Sequence, residues 1–250
     1  MKSITRLFFL FITLTALTGC QFTEKINLND NGSGTYKLKI DMSAMMSSMQ
    51  GMKDDSEDTS EEKEESKVVD TIINFKDILD EKKDSIAKLP EDEQAKLKAL
   101  EDLKLHVNIN EEKNIAVTEF IFNFKNISEL KNIQEKIEKA NSVNDGKPAE
   151  ENIRPTEVVY HFDGKTFHRE VVERKLTDEQ KEAYKKSMEQ GSQMVEGSSY
   201  QIEYNFPRPV KSTTFKDAIF SGDRKTMYIQ SDMKKVTEDP KFLDFKVVLK

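Results

Sequence analysis

Apolar and polar residues alternate along several stretches of the chain, and an alternation with a period of two predicts β-strands. The first stretch is followed by turn-forming residues (29–34) and by a second alternating stretch (35–42), which together indicate a hairpin. In its first strand four side chains share one face: Phe22, Glu24, Ile26 and Leu28. The same reasoning predicts further strands at residues 105–109, 116–124, 158–162, 166–172, 200–206, 210–220, 226–231 and 245–249.

Apolar residues at spacings of three and four predict helices between these strands. Two of the helices open with capping boxes, formed by Asn126 with Glu129 and by Thr177 with Gln180. In such a box the first side chain caps the backbone of the helix, and the second returns a hydrogen bond. Besides the helix that carries the methionines discussed below, the predicted helices span residues 68–89, 91–103, 126–140 and 178–190.

These elements predict an α+β fold, an antiparallel sheet with one face covered by helices and the other face wet. Residues 53–66 carry eight acidic side chains and no apolar one, so we expect a disordered acidic loop there. Residues 144–156 are polar and contain two prolines and a glycine, which indicates a linker. We therefore expect an N-terminal part at 20–143 and a C-terminal part at 157–250, packed together as one unit.

The first nineteen residues differ from the rest. Lys2 and Arg6 precede an uncharged apolar run at 7–17, which is the layout of a secretory signal peptide and is too short to span a bilayer. The run ends in Leu17-Thr18-Gly19-Cys20, which resembles the lipobox of bacterial lipoproteins. The resemblance implies that residues 1–19 are removed and that Cys20 carries the lipid. The alternatives are an ordinary signal peptide and an uncleaved anchor.

The lipoprotein resemblance also implies a location. Lipoproteins of this type carry a diacylglyceryl thioether and an N-acyl chain such as palmitate on the cysteine, which gives the several chains that stable anchoring requires. A residue other than Asp after the cysteine resembles the outer-membrane sorting signal, and Gln21 fits it. We expect a membrane partner through Cys20, at the outer membrane and facing the periplasm.

Net charge and cysteine content limit the functions that the chain can have. The net charge of −7, with no basic run, argues against nucleic-acid binding. Cys20 is the only cysteine, so neither an intramolecular disulfide nor a cysteine-based metal site can form in the domain. Three histidines and the absence of nucleophile-elbow, zincin or phosphate-loop motifs leave no catalytic set to name, and we expect neither an enzyme nor a cofactor.

Five methionines lie on one face of a predicted helix, and this pattern allows two interpretations, metal binding or packing. Soft thioether ligands select Cu(I), whereas a flexible methionine face also packs on a sheet or an apolar partner, and the absence of interleaved histidine or cysteine favours packing. The candidate ligands for Cu(I) are Met42, Met45, Met46, Met49 and Met52.

Two histidines raise a second metal question. Asp163-Gly164 predicts a two-residue turn that makes His161 and His168 diagonal neighbours on one face of a hairpin. Two imidazoles so placed can share a metal, but the pattern offers no third ligand, so we expect an ordinary wet sheet face.

A second resemblance concerns the overall layout. The lipobox, the hairpin turn at 31–34, the segment 206–211 and the strand at 225–229 look like the arrangement of LppM-type lipoprotein domains. This implies an extracytoplasmic α+β domain and assigns no site residue. We favour a non-enzymatic lipoprotein that binds or scaffolds another envelope protein. The alternatives are a carrier of an apolar ligand or Cu(I), and a hydrolase whose carboxylates the sequence does not reveal.

Overall fold

A computed structural model describes residues 19–54, 67–131, 133–145 and 154–250. The signal segment up to residue 18, most of the predicted acidic loop (53–66) and most of the predicted linker (144–156) lie outside the described residues. Side chains at 51–54, 92, 141–145 and 190–195 are likewise not described.

Twelve strands are found in the described part of the chain. They are β1 (Gln21–Leu28), β2 (Gly34–Asp41), β3 (Val68–Asn74), β4 (Leu103–Asn110), β5 (Ile115–Phe124), β6 (Thr156–Phe162), β7 (Thr166–Glu173), β8 (Ser199–Asn205), β9 (Val210–Thr213), β10 (Ile219–Phe220), β11 (Thr226–Asp232) and β12 (Phe245–Leu249).

Helices connect several of these strands. The α-helices of the described segments are α1 (Ser43–Asp54), α2 (Phe75–Glu81), α3 (Lys83–Ile86), α4 (Glu91–Lys98), α5 (Ile133–Asp145), α6 (Asp178–Val195) and α7 (Met233–Glu238). Two short 3₁₀ helices span Ile127–Leu130 and Pro240–Leu243.

The α+β class is confirmed, and the strands form two sheets. The larger sheet has the order β10-β11-β8-β1-β2-β5-β4-β3, and the smaller one has the order β6-β7-β12-β9. All pairs are antiparallel except β1 with β8, which run parallel. Strands β8 and β11 lie beside β1 in the larger sheet. This sheet therefore contains strands that precede residues 144–156 and strands that follow them.

One face of the larger sheet is buried and the other is wet, as the alternation predicts. A single cross-strand row illustrates the buried face, because all its side chains are at most 3% exposed: Ile26, Tyr36, Phe122, Leu103, Tyr204 and Met227. The adjacent row on the opposite face contains Lys25, Lys37 and Glu203, none of which is buried. Lys25 and Glu203 form an ion pair of 2.7 Å there.

The smaller sheet packs against the buried face of the larger one. Aromatic rings make the contact: Phe167 of β7 meets Tyr204 of β8 and Phe206 with centroids 5.4 Å apart in both cases, and Tyr204 lies 6.0 Å from Phe245 of β12. Over β4 and β5 the same core continues beneath the helices, where Phe75, Leu100 and Ile133 are buried. Sheet and helices thus share one hydrophobic core.

Several sequence predictions need correction. The predicted strand at 210–220 is two strands, β9 in the smaller sheet and β10 in the larger one. Residues 68–74 form strand β3 and not the start of a helix, because a segment rich in β-branched side chains pairs along its whole length with β4. Helix α6 continues past Gly191 to Val195. Strands β6 and β7 are joined by the three residues 163–165, Phe162 pairs with Phe167, and His161 lies directly opposite His168 and not diagonally from it.

Candidate functional site

The hairpin β6–β7 carries two neighbouring polar pairs that point to opposite faces of the smaller sheet. Its tip is fixed by Asp163, whose side chain accepts hydrogen bonds from the backbone amides of Lys165 (2.8 Å) and Thr166 (2.6 Å). Gly164 takes a positive φ of 89°, a conformation that glycine adopts without steric cost. With this register, Tyr160 faces Arg169 on the inside, and His161 faces His168 on the outside.

The inner pair surrounds a buried carboxylate of the larger sheet. Glu24 of β1 has no exposed surface, and Oε1 accepts a 2.7 Å hydrogen bond from the hydroxyl of Tyr160. The hydroxyls of Tyr200 and Tyr204 on β8 also donate to Glu24. The guanidinium of Arg169 lies 3.4 Å from Oε2 and donates a second hydrogen bond of 3.0 Å to the carbonyl of Leu243. We call these five side chains the inner cluster.

Electrostatic interactions keep Glu24 and Arg169 of the inner cluster charged. Burial alone would raise the pKa of Glu24, but the charge of Arg169 and the three tyrosine hydroxyls outweigh it, so the pKa lies below the ordinary value. Burial, followed by the charge of Glu24, raises the pKa of Tyr160, Tyr200 and Tyr204. Arg169 Nε is buried and finds no hydrogen-bond acceptor among the described residues. The inner cluster therefore ties the two sheets together.

The outer pair lies at the surface and has a carboxylate on either side. The rings of His161 and His168 stack with centroids 5.8 Å apart, and Nε2 of His161 lies 2.8 Å from Oε2 of Glu170. Nε2 of His168 lies 3.1 Å from Oδ1 of Asp244. The other oxygen of Asp244 accepts a 3.0 Å hydrogen bond from the backbone amide of Val171, which fixes the carboxylate.

A surface cavity of about 470 Å³ adjoins the outer pair. Both histidines line it together with Asp163, Asn126 and Lys246. Lys246 is the cross-strand partner of His168 on β12. Two imidazoles, one carboxylate and one ammonium group therefore line the same solvent-accessible recess.

Cys20, the predicted lipidation residue, lies directly before β1. Its backbone amide donates a 3.1 Å hydrogen bond to Oγ of Ser198, and its carbonyl accepts one of 3.0 Å from the amide of Ser199. Burial raises the pKa of the Cys20 thiol, and the charge of Asp41 raises it further. A raised pKa lowers the thiolate fraction, which makes this cysteine a weak nucleophile.

The methionine stripe begins just before α1, at the Cys20 end of the sheet, and continues along that helix. Asp41 pairs with Gln21, so Met42 follows immediately at the Cys20 end of the sheet. Met42, Met45 and Met49 are 38%, 39% and 55% exposed. Met46 is half-buried, and the side chain of Met52 lies outside the described residues. These exposed side chains are free to contact an apolar partner, so packing on a partner and Cu(I) binding both stay predictions.

Sequence reasoning missed the inner cluster as well as Glu170 and Asp244. A signal for the inner cluster exists, because Glu24 and Arg169 are each a lone charge on the apolar face of an alternating strand. Such a charge requires a buried partner. The aromatic triplet Phe120, Phe122 and Phe124 belongs to the core, at 1%, 3% and 3% exposed.

Comparisons with known proteins give one structural likeness. Neither a family model nor a curated protein matches the chain. The NMR structure of the folded domain of LppM from Mycobacterium tuberculosis is similar over 92% of this chain and 89% of that chain, with 6% sequence identity and a TM-score of 0.38. A likeness at this level carries no argument about function. Among the helices in the described residues, none has both the length and the apolar character needed to cross a membrane.

Proposed function

We propose that this chain is a bacterial envelope lipoprotein, anchored by lipid on Cys20, whose domain binds another envelope component without catalysing a reaction. The observation that carries the proposal is the direct junction of the lipobox cysteine to β1, a central strand of the larger sheet. With no linker between them, an anchor at Cys20 holds the whole domain against the bilayer. The hydrogen bond from the Cys20 amide to Ser198 survives N-acylation, because an acylated amide keeps one hydrogen.

The surface around Cys20 supports this orientation. Residues 43–52 contain no charged side chain, although charged residues make up 34% of the chain. Their exposed methionines lie at the same end of the sheet as Cys20. A helical segment without charged side chains, whose methionine side chains are flexible, can enter the bilayer interface beside the anchor without desolvating a charge.

The binding role is supported by the edge strand β3. It pairs with β4 on one side, and no strand of the described residues covers its other side. Val68 and Ile72 on this edge are 59% and 60% exposed. An exposed edge with apolar side chains can accept an added strand from a partner protein.

Replacing Cys20 by serine tests the anchor. We expect Cys20→Ser to move the protein from the membrane fraction to the soluble fraction, and mass spectrometry of the wild-type N-terminal peptide to find acyl chains. Thr18→Ser is the matched control, since it changes the lipobox without removing the thiol. A Cys20→Ser protein that stays in the membrane fraction would contradict the proposal.

Sorting and partner binding need separate tests. Gln21→Asp should shift the protein from the outer to the inner membrane in a density gradient, whereas Gln21→Asn should not, and an unchanged distribution would contradict the outer-membrane assignment.

Ile72→Lys should abolish crosslinking to a partner that wild type retains in detergent. Ile219→Lys on β10, at the opposite edge, is its control because Ile219 is 69% exposed. Equal loss with both variants would contradict a role for β3.

A further inference from the structure

We propose that His161, His168 and Glu170 form a binding site for a divalent transition-metal ion of the zinc class. Each residue offers one ligand atom, and the three atoms lie within 4.8 Å of one another. Two imidazoles and one carboxylate are a ligand set that holds zinc and leaves a fourth position for water. This site is independent of the lipid anchor.

The strand register explains why these three side chains converge. His161 and His168 are direct cross-strand partners, and Glu170 follows His168 by two residues, so all three share one face. Tetrahedral zinc with bonds of about 2.0–2.1 Å brings its ligand atoms to roughly 3.3 Å from one another. Side-chain rotation at the surface closes the remaining gap, because the side chains of His161 and Glu170 are 54% and 40% exposed.

A fixed carboxylate behind one ligand strengthens the assignment. Asp244 contacts Nε2 of His168 and is itself held by the amide of Val171. Metal-bound histidines usually donate their other ring N–H to such a carboxylate, which sets the tautomer and increases ligand basicity. With Nε2 directed at Asp244, His168 offers Nδ1 to the ion. Asp244 is therefore a positioning residue.

The surroundings suit a hydrated ion facing solvent. Asp163 and Lys246 line the adjoining cavity of about 470 Å³, and the positive charge of Lys246 acts on the carboxylate of Asp244. The hairpin tip lies far from the anchor, because Phe162 is next to Gly32 in the turn that ends β1. Eight residues of strand at about 3.3 Å each separate that turn from Cys20.

Titration of the full chain, purified in detergent, with Zn²⁺ alone tests the site. We expect one bound ion by isothermal titration calorimetry, with the affinity lowered more than about 100-fold in His161→Gln, His168→Gln and Glu170→Gln. Asp244→Asn should lower it about 10–100-fold while keeping the stoichiometry, and cobalt bound in place of zinc should then show an altered visible absorption spectrum.

His106→Gln is the matched control. His106 is the remaining histidine, and it also contacts two carboxylates, with Asp70 at 2.8 Å and Glu119 at 3.5 Å. Its removal should leave the affinity unchanged. Equal losses in His106→Gln and His161→Gln, or absence of a stoichiometric ion in wild type, would overturn the proposal. Repeating the titration with Cys20→Ser tests the metal site independently of the lipid anchor. We expect unchanged zinc binding whether or not that variant leaves the membrane.

Discussion

Two adjacent cross-strand pairs of one hairpin have opposite environments. Tyr160 and Arg169 are 2% and 3% exposed, whereas the side chains of His161 and His168, one position further along on the other side of the sheet, are 54% and 19% exposed. Each pair has a glutamate within hydrogen-bond distance, Glu24 inside and Glu170 outside. Burial decides what the polar groups do. The buried polar groups use their hydrogen bonds to hold the two sheets together, whereas the outer histidines can still coordinate a ligand.

The largest effect should follow from removing one charge of the inner cluster. Glu24→Gln keeps an acceptor for the tyrosine hydroxyls but leaves the guanidinium of Arg169 buried without its counter-charge. We expect the free energy of unfolding to fall by about 3–5 kcal/mol, as for other broken buried ion pairs. Urea denaturation followed by circular dichroism measures it.

The double variant Glu24→Gln/Arg169→Met supplies the control. With neither charge present, we expect its loss of stability to be smaller than the sum of the two single losses, because no buried charge is left unpaired. Strictly additive losses would show that Glu24 and Arg169 do not act as a pair.

Low pH should weaken the same ion pair between Glu24 and Arg169. The pKa of Glu24 is lowered in the folded protein, so its contribution is fully present above the ordinary pKa, near 4.5, and is lost as the pH falls through the folded-state pKa. Comparing the free energy of unfolding of wild type and Glu24→Gln against pH isolates this contribution from that of the other acids. The difference should shrink below about pH 4.5. A difference independent of pH would contradict an ionised Glu24.

A smaller effect should follow from removing one donor of the inner cluster. Tyr204→Phe deletes a hydroxyl that donates to the charged Glu24, and a hydrogen bond to a charged group contributes about 1.5–3 kcal/mol. Tyr228→Phe on β11 is the control, since Tyr228 is 40% exposed, and we expect a change within about 0.5 kcal/mol. Equal changes in both variants, measured by urea denaturation, would contradict the role given to Tyr204.

Local patterns predicted most of the elements but little of this contrast. The alternation around Glu24 located β1 and its buried face, and the capping box of Asn126 with Glu129 located a helical turn. The parallel pairing of β1 with β8 joins Glu24 to tyrosines about 180 positions away, which no local pattern contains. The histidines were found because turn chemistry places them together, but the three-residue loop changed their register, and Asp244 comes from a distant strand connection.

The outer pair should matter least for the stability of the metal-free chain. A substitution of an exposed polar residue usually changes the free energy of unfolding by at most about 0.5 kcal/mol, and we expect this for His161→Gln in the presence of a chelator. Excess Zn²⁺ should then make wild type more stable than His161→Gln. At a concentration 100 times its dissociation constant, an ion that binds only the folded state raises the free energy of unfolding of wild type by about 2.7 kcal/mol, and the variant should gain far less.

This last comparison distinguishes a ligand site from a structural contact. If His161 and Glu170 merely stabilised the hairpin, His161→Gln would lower the melting temperature equally with chelator and with Zn²⁺. If they bind an ion, the loss appears only when the ion is present, and His106→Gln, which removes a histidine from β4, retains the full gain. The inner cluster should show the reverse behaviour, because Glu24→Gln destabilises the protein to the same extent with and without metal.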